Sequence, residues 1–198
     1  MAERKFSKGE AVRFGWETVT SNLGLFVVAV AIMLGVNLMP VVSGSIVVAI
    51  VASLLCLVVA MGLMRMSLRF VDGGRGELAD LFATFSLIVK YILASVIVGI
   101  VVLVGVILLI IPGIIWGVRL QFYGWAVVDK GAAPFEAVRM SWEMTRGSFW
   151  NLFLLGLVLA LVNILGALAL LVGLLVTVPL SVVAMGYVYR KLERAATV

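Results

Sequence analysis

Histidine is absent from this 198-residue chain, and cysteine occurs once, at Cys56 inside an apolar run. Imidazole-based catalysis, a disulfide framework and a thiolate metal cluster are therefore excluded within the chain, and neither metal nor cofactor is expected. Charge is scarce as well. Asp, Glu, Lys and Arg make up 13% of residues, where a soluble domain carries about a quarter. No carboxylate pair sits inside an apolar run, so nothing offers a proton relay. Ser43, Ser45, Ser95 and Ser181 have no His or intramembrane Lys to serve as base. Gly73-Gly74-Arg75-Gly76 lacks the Gly-Lys-Ser/Thr ending of a phosphate loop. Enzymatic chemistry is not expected.

What is abundant is apolar surface. Hydrophobic residues reach 64%, and the mean hydropathy is +1.26. So much apolar surface cannot hide inside a 21.3 kDa globule, so the solvent for most of it must be lipid. Six apolar segments stand out: Leu23–Met39, Val42–Met64, Tyr91–Ile111, Gly113–Val128, Phe149–Leu170 and Gly173–Tyr189. A helix needs roughly 20 residues to cross ~30 Å of hydrocarbon, with ~17 as the lower limit. The fourth segment is short and contains Arg119 and Gln121, so charge position must decide its status. If six segments span and the N-terminus is inside, every Lys and Arg except Arg119 falls on the cytoplasmic side. All ten acidic residues fall there too. A re-entrant fourth segment would put Lys130, Arg139 and Arg146 outside, against the positive-inside bias.

The expected fold is thus all-α. It is a polytopic membrane bundle of six transmembrane helices in three hairpins, with cytoplasmic amphipathic helices, in a bacterial inner membrane. Both termini are expected in the cytoplasm. The first 22 residues mix Arg4, Lys5, Lys8 and Arg13 with Glu3, Glu10 and Glu17, unlike a signal peptide. Tight outer turns are expected near Pro40, Pro112 and Gly173. The net charge of +5 and the pI near 9.7 come from residues flanking apolar spans. That points to anionic lipid at the cytoplasmic face and not to nucleic acid.

An internal repeat organises the single domain, 1–198. Glu10-Ala11-Val12-Arg13-Phe14-Gly15-Trp16-Glu17 matches Glu136-Ala137-Val138-Arg139-Met140-Ser141-Trp142-Glu143 at six of eight positions, 126 residues apart. The same offset carries Val36-Asn37 onto Val162-Asn163. A weaker echo, Gly76-Glu77-Leu78, precedes the middle hairpin. Units of about 7–64, 74–129 and 132–191 follow, each an amphipathic helix and two spans, related by an axis along the membrane normal. Ser7 before Glu10 fits a capping box, and Pro134 suits a first helical turn. Phe135, Val138, Trp142 and Thr145 share one face. Trp16 and Trp142 are placed at the membrane interface. Either lipid or the underside of the bundle can be the apolar partner.

The run Leu108-Leu109-Ile110-Ile111-Pro112-Gly113-Ile114-Ile115-Trp116-Gly117-Val118-Arg119, followed by Val127-Val128-Asp129, carries a resemblance. So do Glu136-Ala137, Ser141-Trp142, Thr145-Arg146-Gly147 and Phe149-Trp150 further on. In that order they resemble a broad group of poorly characterised bacterial integral membrane proteins. The group includes the membrane domain attached to some glycerophosphoryl diester phosphodiesterases. The resemblance implies a membrane domain and no hydrolase.

Arg119 is the sharpest candidate for function. A charged side chain inside a span is costly and usually faces the bundle interior or a wet cavity. Arg119 lies seven residues past Pro112, ~10 Å from the outer edge at ~1.5 Å per residue. Asn163 falls at a similar depth, so an Arg119–Asn163 hydrogen bond is expected, with Asn37 as the repeat mate of Asn163. Trp116 and Tyr123 are expected to flank the guanidinium by cation–π contact. The binding candidates are therefore Arg119, Asn163, Asn37, Trp116 and Tyr123. The functional expectation is a non-catalytic membrane scaffold, anchor or accessory domain. The competing one is a small-molecule or lipid transporter or channel using Arg119. Protein partners and self-association stay open.

Overall fold

The computed structural model describes residues 6–169 and 173–196. It is all helical, and the described residues contain no strand. Among the described residues nine α-helices run in order: α1 (Lys8–Ser21), α2 (Leu23–Ser43), α3 (Ile46–Val71), α4 (Ile88–Leu108), α5 (Ile110–Leu120), α6 (Tyr123–Lys130), α7 (Pro134–Met144), α8 (Phe149–Leu168) and α9 (Leu174–Ala196). Two short 3-10 turns, Leu78–Leu81 and Phe85–Leu87, lead into α4. Five stretches are long and apolar enough to cross a bilayer: α2, α3, Leu78–Leu108, α8 and α9. The chain is a multi-pass membrane protein by this measure.

Local chemistry accounts for the helix ends. Ser7 Oγ accepts the Glu10 N–H at 3.3 Å and opens α1. Glu136 Oε2 accepts the Ala133 N–H at 3.3 Å and opens α7, where Pro134 needs no N–H partner. Two expected turn positions are corrected. Pro40 lies inside the last turn of α2, and the reversal is made by Gly44 at φ 61, whose N–H returns to the Pro40 carbonyl. Pro112 lies in the first turn of α5, where a missing N–H costs nothing. The break there falls at Leu109, which is extended at φ −164, ψ 140. The third expected turn, Leu170–Gly173, lies largely outside the described residues.

The fourth apolar segment is also corrected. It is not one helix but two, α5 and α6, separated by Gln121 and Phe122. Neither residue is a helix breaker by type, so the cause must come from elsewhere in the fold.

Burial is concentrated at one end. In α3 the buried positions, Ala52 apart, run from Val58 to Leu68, whereas Ile46, Val47, Ile50, Val51, Leu54 and Leu55 are exposed. In α9 they run from Pro179 to Leu192. This core joins Phe26, Met66, Leu81, Phe122, Trp125, Leu152 and Tyr189. Away from it the helices stand apart with bare apolar sides, as at Val42 (86% exposed) and Ile107 (74%). Exposed apolar surface of this extent marks contact with lipid. Where the tips do touch, glycine allows it. A Cβ on Gly105 of α4 would sit 2.9 Å from Gly113 Cα of α5. The same close approach joins Gly166 of α8 to Gly173 before α9.

The end that holds the core, away from these tips, is also charged and tied. Arg190 of α9 binds Asp129 of α6 at 2.8 Å, Asp72 at the end of α3 at 2.6 Å, and Glu193 at 2.7 Å. Lys130 adds a further bond to Glu193, and the Tyr189 hydroxyl donates to Asp129 at 3.1 Å. Asp80, only 2% exposed, accepts from the Glu77 N–H at 3.0 Å and pairs with Arg69 at 3.1 Å. Buried carboxylates are tolerated because each has a charged and a hydrogen-bonded partner.

Candidate functional site

The site is built by the two amphipathic helices. α1 lies along α9, with Phe14 stacked on Tyr187 at 5.1 Å. Lys191 Nζ lies 3.0 Å from Glu10 Oε2. The hydrogen bond from Lys191, and then its charge, hold the Glu10 carboxyl below its ordinary pKa. Closeness requires Gly15, since a Cβ there would lie 2.7 Å from the Leu180 carbonyl. α7 lies against α4, α5 and α6 in a similar way. The two helices carry matching surface pairs: Arg13–Glu17 at 2.7 Å and Arg139–Glu143 at 2.8 Å.

Ser141, 126 residues after Gly15, explains the broken helix. Its Oγ accepts the Phe122 N–H at 3.1 Å and donates to the Arg119 carbonyl at 2.9 Å. Thr145 Oγ1 lies 3.0 Å from the same carbonyl and 2.8 Å from Ser141 O, sharing one proton between them. A hydroxyl inserted into the backbone ladder bends or breaks a helix. It also satisfies the groups it frees, which apolar surroundings demand. The break between α5 and α6 is thus written in α7.

Each amphipathic helix roofs a groove. The first, about 600 Å³, is lined by Lys8, Gly9, Val12, Arg13, Trp16, Val158, Val162 and Leu180. The second, about 470 Å³, is lined by Val101, Trp116, Leu120, Phe135, Val138, Arg139 and Trp142. Both volumes suit a small ligand or part of a lipid. Val12, Arg13 and Trp16 correspond to Val138, Arg139 and Trp142 at the repeat offset. The walls differ: Val158, Val162 and Leu180 line the first groove, and Val101, Trp116 and Leu120 the second.

Arg119 is placed differently from expectation. Its guanidinium lies 3.5 Å above the Trp142 ring and donates to the Trp142 carbonyl at 3.4 Å. The Arg119–Asn163 bond is not formed. Asn163 Nδ2 donates instead to Leu159 O at 2.9 Å and Ser181 Oγ at 2.8 Å. Its Oδ1, the atom Arg119 would need, is buried without a partner. Similar depth did not bring contact: Arg119 turns toward α7, whereas Asn163 of α8 bonds Ser181 of α9. The ring under the guanidinium is likewise Trp142, not Trp116 or Tyr123. Trp116 lines the second groove. The Tyr123 hydroxyl faces Ser95 Oγ at 3.0 Å.

Asn37 and Asn163 play the same local part. Asn37 Nδ2 reaches Met33 O at 2.8 Å and Cys56 Sγ at 3.0 Å, as Asn163 reaches Leu159 O and Ser181 Oγ. Each side-chain amide returns to its own helix and crosses to the next. Trp16 is 53% exposed, and Trp142 is partly covered by Arg119. Among the described residues no group of three His, Cys, Asp or Glu gathers to hold a metal. The Arg190 cluster was not anticipated. Its members were visible only as charges near helix ends, and nothing in sequence pairs residues 118 positions apart.

The model of a domain of unknown function, DUF7847, matches residues 52–197, and the chain belongs to that family. The uncharacterized protein Rv2560 of Mycobacterium tuberculosis is 29% identical over 132 residues, 67% of this chain and 40% of that protein. The uncharacterized protein Mb2590 of Mycobacterium bovis is 28% identical over the same shares. The chain thus spans about 40% of the length of these curated relatives. No solved structure matches.

Proposed function

We propose that this DUF7847 member is a non-catalytic membrane domain of the bacterial cytoplasmic membrane. It has six spans in three hairpins and cytoplasmic termini, and serves as scaffold, anchor or accessory to other machinery. In this reading α5 and α6 together make the remaining span. Three units related at the repeat offset build the domain, and the two amphipathic helices grip the cytoplasmic leaflet. The observation that carries the reading is the pair of grooves roofed by α1 and α7. Each has an apolar floor, a Trp and an Arg at its edge, the composition of a helix seated at a lipid interface. The resemblance to the membrane domain beside some glycerophosphoryl diester phosphodiesterases supports a role next to another activity. Protein partners or a second copy fit the same role.

Topology tests it. In a Cys56→Ala background, Val42→Cys and Leu109→Cys should react with an impermeant maleimide from outside intact cells. Arg75→Cys and Ala133→Cys should react only after permeabilisation. External labelling at Ala133→Cys sinks the six-span arrangement.

A second reading, a transporter of small molecules or lipid, draws on the broken α5–α6 segment beside Arg119, since discontinuous helices line transporter sites. Lipid scrambling in proteoliposomes that is lost in Arg119→Gln would replace the first reading with this one.

A further inference from the structure

We propose that Arg119 and Arg146 hold the phosphate of an anionic glycerophospholipid of the cytoplasmic leaflet, with an acyl chain in the groove over Trp116 and Leu120. The inference deepens the membrane-domain reading and rests on it.

Three observations converge. First, Arg119 is oriented but not neutralised. The Trp142 ring supports one face of its guanidinium at 3.5 Å, and among the described residues the guanidinium donates only a long hydrogen bond, to the Trp142 carbonyl. Among the described residues it forms no ion pair, and neither does exposed Arg146. Second, the carbonyl that the Arg119 guanidinium reaches belongs to Trp142, four residues before Arg146 and so one helical turn away, and Arg146 acts electrostatically on Arg119. Like charges held together without a counter-ion favour an anion between them, and guanidinium suits the oxygens of a phosphate. The neighbouring carboxylate, Glu143, is engaged by Arg139 at 2.8 Å, which reduces its repulsion of an anion. Third, Trp142, the ring beneath Arg119, and Leu120, its neighbour in the chain, line an apolar groove of about 470 Å³. A charged end joined to an apolar trough matches a lipid and not a free inorganic ion. The twin groove has Lys8 and Arg13 at its edge, but Thr20 stands at the position equivalent to Arg146.

The test uses the full chain purified in maltoside detergent. Native mass spectrometry follows retention of dioleoylphosphatidylglycerol against dioleoylphosphatidylcholine, supplied equally. The wild type should retain phosphatidylglycerol preferentially. Arg146→Gln and Arg119→Gln should each weaken that preference about five-fold, the effect of one basic group at a lipid surface. Arg75→Gln, exposed and outside both grooves, should leave it unchanged. Arg146 is exposed, so its variant remains informative even if Arg119→Gln does not fold. An equal retention of both lipids by the wild type overturns the site, and so does an undiminished preference in Arg146→Gln. The cysteine labelling above reads topology independently. A correctly oriented chain without lipid preference therefore loses this site and keeps the broader reading.

Discussion

The grooves under α1 and α7 have the same roof and different walls. Val12, Arg13 and Trp16 answer Val138, Arg139 and Trp142, yet the roofs are fastened by unlike chemistry. α1 is pressed onto α9 by the absence of a side chain at Gly15. α7 is stitched to α5 and α6 by the hydroxyls of Ser141 and Thr145. The first fastening depends on shape and leaves α9 continuous. The second depends on hydrogen bonds and divides the helix it meets. A single repeat thus supports a trough edged by Lys8 and Arg13 and a trough whose tryptophan carries the Arg119 guanidinium.

The largest expected effect breaks the first fastening. Gly15→Leu forces atoms into the Leu180 backbone and should cost about 3 kcal/mol, the upper range of overpacking. It should appear as a lower thermal midpoint in detergent and early proteolysis near α1. Gly9→Ala, with only Ser7 Oγ 3.9 Å from the added carbon, should do neither.

Next comes the second fastening. Ser141→Ala leaves the Phe122 N–H without its acceptor and should cost about 2 kcal/mol, the penalty of a buried unpaired donor. The change should be read by denaturation in detergent. Faster hydrogen exchange should be confined to the α5–α6 junction. Unchanged exchange there would mean that Ser141 does not cause the break.

The aromatic pair separates the grooves more gently. Trp142→Leu removes a cation–π contact and should destabilise by about 1 kcal/mol. Trp16→Leu, half exposed and without a guanidinium above it, should change the midpoint little. Because Arg119 and Asn163 belong to separate hydrogen-bond groups, Arg119→Leu and Asn163→Leu should be additive to within ~0.5 kcal/mol. The smallest effect is expected at the matched surface pairs. Arg13→Gln and Arg139→Gln should leave the thermal midpoint unchanged, since exposed i,i+4 pairs contribute little.

Much of this was legible in advance, and the exceptions have physical reasons. The long apolar helices follow from composition, because lipid imposes a length and a polarity on whatever crosses it. The helical octets around Trp16 and Trp142 were readable from capping and periodicity. What sequence could not show was an effect produced at a distance. Gln121 and Phe122 carry no local instruction to stop a helix; the instruction is Ser141, about twenty positions later. Pro40 and Pro112 were assigned to turns, but a proline fits the end or start of a helix as well as a loop. The Arg119–Asn163 pairing assumed that similar depth brings contact. The Arg190 cluster needed three helix ends to be brought together first.

The contact between α1 and α9 sets an order of events during synthesis. Glu10 and Lys191 are 181 positions apart, and ribosomes add roughly 5–20 residues per second. The first helix therefore emerges about 10–40 s before its docking partner exists. Through that interval its apolar face has no protein to cover it, and the lipid surface is the available shelter. Asp72 and Asp129 wait similarly for Arg190. It is α9 that closes the molecule, so a chain arrested before α9 would carry a bare amphipathic helix and two carboxylates still waiting for Arg190.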